Sequence, residues 1–275
     1  MKQMKISEAL PEVFTRAYTM LEPHTHMLLA LSILRFQNLD ALPIGVGKSR
    51  SRKIAVSGFS CLSEVMSLEP GDYERFLNEP CESYSVKLAT LHAEDDLEDL
   101  LRTFSETGFG FACVDGRGKN ELMAFVGLRD LMRLCTKSVI TSPLSAGDVA
   151  SSPIFSLPRH ATLKQALEEM IERGKRRVFL DGTDLAVSDR SIINHIFSAS
   201  KLSEASSKSY DLLATTLNEI EHARPESIDE GADLKKAAEQ IIAAKDHCLT
   251  CKRGIITPWD LIMKPWEQHK LTISA

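Results

Sequence analysis

Apolar and polar positions fall into one order that recurs four times along the chain. A short β-like stretch is followed by a polar turn, an amphipathic helix, two short apolar strands, and a second helix opened by a small or polar residue. The order is clearest near the end. SIDEGADLKKAAEQII (Ser227–Ile242) reads as a strand end, an acidic turn and a helix with Leu234, Ala237, Ala238, Ile241 and Ile242 on one face. HCLTC and GIITPWDLI then supply the strands and the second helix. SLPRHATLKQALEEMI (Ser156–Ile171) repeats the helix stripe at Leu163, Ala166, Leu167, Met170 and Ile171, and RRVFL and LAVSDRSIINHIF follow it. TLHAEDDLEDLLRTF, GFACV and AFVGLRDLMRL form an earlier copy. MLEPHTHMLLALSIL, LDALPI and KIAVSGFSCLSEVM form the first and loosest.

Aligned on the step from third strand to second helix, the four copies place Ser57, Gly127, Ser188 and Thr257 in register. One such β-α-β-β-α unit has a sheet too small to bury both faces, so pairing units through their sheets completes a core. The chain therefore reads as α/β (α+β), four repeats in two tandem pairs, with domains at 1–140 and 141–275. KSVITSPLSAG (Lys137–Gly147) is the joint between pairs, and SLEPGDYERFLNEPCES and SASKLSEASSKS are the links within them.

With 275 residues, two cores are expected rather than one. A composition of 43% hydrophobic and 26% charged residues, with net charge -5, suits a soluble globular protein and not one that coats a polyanion. The basic runs Lys48–Lys53 and Arg173–Arg177 lack interleaved aromatics, which argues against nucleic acid as a partner. Six scattered cysteines and an opening stretch, MKQMKISEALPEVF, without a signal-like apolar core point to a reduced, cytoplasmic setting. The most apolar run, MLLALSIL, is too short to span a bilayer and is expected to be a buried helix.

The pattern S/T-apolar-x5-L-x-x-A, an apolar strand, and then G-apolar-apolar-T-x-x-D-L resembles the CBS (cystathionine β-synthase) domain, and GIITPWDLIMK is close to that family's most diagnostic segment. The resemblance extends from about Met4 to Trp266. A helix start carries unpaired N–H groups and partial positive charge, so Thr257 there suits a phosphate, Pro258 fits the first helical position, and Asp260 stands one turn on. An ordinary helix cap accounts for the same residues. The resemblance implies the ligand reading: Thr257 and Asp260 for phosphate and ribose, Ser227 beside an adenine, and Ile255 and Ile256 flanking the ring.

The other copies depart from that pattern. The second keeps Asp130 but has Gly127 for the hydroxyl, with Thr90 at the strand end; the third has Ser188 and Ser156 but Ser191 at the carboxylate place. The first has Ser57, Ser60 and Met20 in the three places. One good site in the C-terminal pair is expected, with Asp130 marking a weaker one in the N-terminal pair. Arg253 and Arg177 are the candidate phosphate cations.

IGVGKSRSRK holds the GKS tail of a phosphate loop, but Leu42 occupies the place of the required glycine, so a flexible basic loop is expected. HCLTC has no second cysteine pair to complete a zinc site, and His24 and His26 have no evident third ligand. Without a Gly-x-Ser-x-Gly elbow, HExxH or dinucleotide fingerprint, no enzyme activity or cofactor is expected. The sequence reading is a regulatory module binding AMP, ADP, ATP or S-adenosylmethionine and acting on a separate effector protein, with a homodimer implied by the resemblance. The alternative is an interaction scaffold of degenerate repeats that binds no nucleotide.

Overall fold

The computed structural model describes residues 4–37, 39–45, 54–69, 71–115, 124–198, 200–201 and 211–274. After α1 (Ile6–Ala9), the first repeat starts at a parallel bridge between Leu21 and Ile44 and includes α2 (Met27–Phe36), β1 (Ala41–Ile44), β2 (Ile54–Ser57) and α3 (Gly58–Met66). Next come α4 (Tyr73–Asn78) and β3 (Val86–Lys87), then the second repeat: β4 (Thr90–His92), α5 (Leu97–Thr107), β5 (Phe111–Asp115), β6 (Ala124–Gly127) and α6 (Leu128–Thr136). β7 (Ile140–Thr141) and α7 (Ala146–Val149) precede the third: β8 (Ser156–Leu157), α8 (Leu163–Glu172), β9 (Arg177–Leu180), β10 (Ala186–Ser188) and α9 (Asp189–Ile196). The fourth comprises β11 (Glu226–Ser227), α10 (Leu234–Ala243), β12 (Leu249–Cys251), β13 (Gly254–Ile256) and α11 (Pro258–Glu267), and β14 (Thr272–Ile273) returns to pair with β7.

One pairing scheme is used throughout. Within repeats 2, 3 and 4 the first strand lies parallel to the second, because a helix carries the chain back between them, while the hairpin-linked second and third strands are antiparallel. Repeat 1 reduces the parallel pair to the Leu21–Ile44 bridge. Register confirms the alignment of the copies: Thr90, Ser156 and Ser227 face Cys113, Phe179 and Thr250. Ser57, Gly127, Ser188 and Thr257 are each the N-cap of their repeat's second helix.

The apolar stripes bury as their spacing requires, with Leu163, Ala166, Leu167 and Met170 inside on α8 and Leu234, Ala237, Ala238 and Ile241 inside on α10. Ile171 and Ile242 fall at the stripe edges, and Ile242 is exposed. α2 is not the wholly buried helix that MLLALSIL suggests. Met27, Ala30, Leu31 and Leu34 are inside, whereas Leu28, Leu29 and Phe36 are exposed.

Each repeat is preceded by a leader that docks on the neighbouring copy. The leader of repeat 1 joins repeat 2, where Ile6 N donates to Asp95 O at 2.9 Å and Leu97 N to Met4 O at 2.9 Å. The leader of repeat 2, folded as α4 and β3 where the sequence suggests a plain link, joins repeat 1 through Cys81 N to Thr25 O at 2.8 Å and a β2–β3 pairing. The exchange recurs between repeats 3 and 4: Ala146 N donates to Ala232 O at 2.8 Å, and Leu163 N to Thr215 O at 2.7 Å. Most of the other link, SASKLSEASSKS, and the GKS stretch lie outside the described residues.

Contacts divide the chain into two compact units that do not coincide with residues 1–140 and 141–275. The first unit contains 1–18, 88–154 and 225–275, that is, repeats 2 and 4 with the leaders docked on them; the second contains 19–87 and 155–224, repeats 1 and 3 with theirs. Helix packing causes the grouping. In the first unit α6 packs on α10 and α11 over a core including Leu131, Leu134, Ala237 and Leu261. In the second, α3 packs on α8 and α9 over Leu62, Val65, Leu167 and Ile192.

Candidate functional site

In the first unit, the chain leaves β13 at Ile256, turns extended at Thr257 and enters α11 with Pro258 in the first turn. Thr257 and Asp260 form a closed capping box: Thr257 N donates to Asp260 Oδ2 at 2.9 Å, Thr257 Oγ1 donates to the same oxygen at 2.6 Å, and Asp260 N donates to Thr257 Oγ1 at 3.4 Å. The second carboxylate oxygen is also engaged. Asp260 Oδ1 accepts from Ser151 Oγ at 2.5 Å and faces Lys264 Nζ at 3.1 Å, so the 5%-exposed carboxylate has four donors around it. A burial this deep requires such pairing.

Ser151 arrives with the leader of repeat 3. Its N donates to Ile255 O at 2.7 Å and its O accepts from Ile255 N at 3.1 Å, laying the leader against β13. Gly254 permits this approach, since a Cβ there would collide with the Ser151 carbonyl. Alternation along β13 sends Ile256 into the core at 0% exposure and leaves Ile255 half-buried, so of the two only Ile255 keeps surface for a ring. Ser227 is exposed on β11. Arg253 is exposed and bound to Asp148 at 3.3 Å and Glu230 at 3.7 Å, which occupies the cation expected to meet phosphate. Hydrogen bonds from the backbone and side chain of Ser145 hold Asp148 below the ordinary carboxylate range, with a smaller part from Arg253.

Asp130, also in the first unit, is 3% exposed at the start of α6. Arg16, brought by the leader of repeat 1, grips it with two donors at 2.7 and 3.2 Å, Arg133 adds a third at 3.0 Å, and Gly127 N a fourth at 3.0 Å. The hydrogen bond to Asp130 raises the Arg16 pKa further, against the opposing effect of burial.

Ser156, Ser188 and Arg177 lie in the second unit, apart from the repeat-4 residues in the division of the chain. Ser188 is buried and caps α9, accepting from Ser191 N at 3.1 Å; Arg177 faces Ser188 across the β9–β10 pair. Ser156 is exposed and donates to Asp181 Oδ1 at 2.5 Å.

Three residues absent from the sequence reading complete these sites. Lys264 was legible as the i+4 partner of Asp260 on one helix face. Ser151 and Arg16 come from leaders, where no local pattern links them to a junction more than a hundred residues away.

Among the described residues no group of His, Cys, Asp and Glu could hold a metal ion, and no helix is long and apolar enough to cross a membrane. None of the six cysteines is in a disulfide, and burial pushes the thiols of Cys81 and Cys135 up to about 11 and about 12, away from nucleophilic character.

The CBS domain family model matches residues 83–137 and 146–186, covering repeat 2 and most of repeat 3. Repeats 1 and 4 share its topology outside those segments. Among solved structures, protein MJ1225 from Methanocaldococcus jannaschii, proposed to be an archaeal homolog of g-AMPK, superposes with a TM-score of 0.77 at 18% identity, over 91% of this chain and 96% of that one. An uncharacterised conserved protein from Pyrococcus horikoshii gives 0.51 at 11% identity, over 81% and 89%. Similarities this remote concern the fold. No protein with a curated description matches the sequence significantly.

Proposed function

We propose that the chain is a regulatory ligand-sensing protein that catalyses no reaction and takes an adenosine derivative (AMP, ADP, ATP or S-adenosylmethionine) at the start of α11. The observation that supports this best is the convergence of two hydroxyls and a carboxylate, Thr257, Ser151 and Asp260, at one helix start within a CBS-type repeat. Ile255 and Ser227 keep partial or full exposure on the adjoining sheet. In this reading Thr257 and the helix N-terminus meet phosphate, Asp260 meets the ribose hydroxyls, and Ile255 meets the base.

Residues 1–140 and 141–275 are the two functional pairs in this reading, supported by the leaders: repeats 1 and 2 exchange theirs reciprocally, as do repeats 3 and 4. Binding in the C-terminal pair would shift an equilibrium in proportion to the ligand's preference for one arrangement. A separate effector, and a second copy of the chain, are the partners it would act on.

One observation favours the alternative of a scaffold without nucleotide: the chain's own donors already surround both Asp260 and Asp130. Trp259, beside the junction, discriminates the two readings through its fluorescence. Titration with AMP, ATP and S-adenosylmethionine is expected to give a saturable change that Asp260→Ala abolishes; silence in fluorescence and calorimetry alike would favour the scaffold.

A further inference from the structure

Four donors surround Asp260, but they are not equally fixed. Thr257 N and Oγ1 belong to the helix cap itself. Ser151 is pinned at its backbone by the two hydrogen bonds to Ile255. Lys264 alone reaches the carboxylate on a long flexible side chain, from one turn further along α11. Its ammonium touches Val149 O at 2.8 Å, Ser151 Oγ at 2.9 Å and Asp260 Oδ1 at 3.1 Å, so all three of its donors have acceptors.

A carboxylate offers about four acceptor directions, and here all four are in use. A ribose diol must therefore displace a donor from Asp260 before it can bind, and Lys264 is the one that can leave without undoing a cap or a strand contact. We propose that Lys264 is the gate of the repeat-4 site: it shields Asp260 in the resting protein and determines how tightly a nucleoside is held. This rests on reading repeat 4 as an adenosine site.

Repeat 2 provides the contrast. Asp130 is clamped by a two-pronged Arg16 as well as by Arg133, two guanidinium groups in place of one ammonium. Planar arginine forks hold carboxylates more rigidly than a lysine does. The gate at Asp260 therefore opens while Asp130 stays closed, and one ligand binds per chain.

The test is calorimetric titration of the full chain with AMP, using the wild type, Lys264→Met, Lys264→Gln and the double variant Lys264→Met/Asp260→Asn, each checked by thermal melting. Losing a charged hydrogen-bond competitor is expected to tighten AMP binding about tenfold or more in both single variants, and the double variant is expected to lose the gain. If the wild type binds AMP in an Asp260-dependent way but neither folded Lys264 variant binds more tightly, the gate is overturned and the site stands. If neither the wild type nor the Lys264 variants bind AMP, ADP, ATP or S-adenosylmethionine, the adenosine reading falls together with the gate.

Discussion

Asp40, in the second unit, joins two stretches of repeat 3 to repeat 1: its Oδ1 accepts from Arg176 Nη2 at 2.6 Å and Arg190 Nη2 at 3.0 Å, while Arg176 Nε donates to Asp189 at 2.7 Å. Burial works against the Asp40 carboxylate, but the arginine charges outweigh it and hold its pKa well below the ordinary value. A carboxylate depressed by folding stabilises above its unfolded pKa of about 3.9 and loses that contribution as pH falls below it. Solvent reaches 40% of the Asp40 side chain, which limits the effect to about 1 kcal/mol. Asp40→Asn is thus expected to melt below the wild type at pH 7, with the gap closing below about pH 4 in a series of calorimetric melts. Arg176 also shows what a residue pattern leaves out. Its cluster with Arg177 suggests a phosphate site, whereas the fold uses Arg176 to tie an acid 136 positions earlier. Thr257 and Asp260 were legible because a cap is local, and Lys264 because i+4 spacing is; Ser151 was not, because it arrives through tertiary structure.

At the scale of elements, the helix and strand pattern was legible wherever a period of 3.6 or 2 was sustained, and all four N-caps fall where aligned copies place them. Exposure was less so. In α2, counting apolar residues suggests a helix buried all round, but only one face meets the core. Leu31, at 0% exposure, and Leu29, at 54%, therefore separate the two faces. Leu31→Ala is expected to cost about 2–5 kcal/mol in urea unfolding, while Leu29→Lys stays within about 0.5 kcal/mol of the wild type. The leaders between repeats were read as links because their helices and 3-10 turns are too short to carry a period. α4 has six residues and α7 four.

At the scale of the molecule, neither apolar core belongs to one half of the sequence. α6 finds its cover in α10 and α11, and α3 finds its cover in α8 and α9. Cutting between residues 140 and 141 would keep every leader with the repeat that receives it, yet would uncover the packing faces of α3 and α6 in one fragment and of their partners in the other. Fragments 1–140 and 141–275 are each expected to self-associate in sedimentation experiments and to form a defined complex when mixed, since large bare apolar faces seek partners. Two cores were legible from length and repetition, but the crosswise packing was not, because amphipathic helices show that a partner is needed without identifying it.

The crosswise arrangement also governs when the protein can fold during its synthesis. The unit that holds residues 1–18 also requires residues 225–275, so its opening segment emerges from the ribosome long before its last helix pair is translated. Until then α6 presents an uncovered apolar side to the cell, and completion must wait for contacts spanning most of the chain, a topology that slows folding and favours engagement by a chaperone.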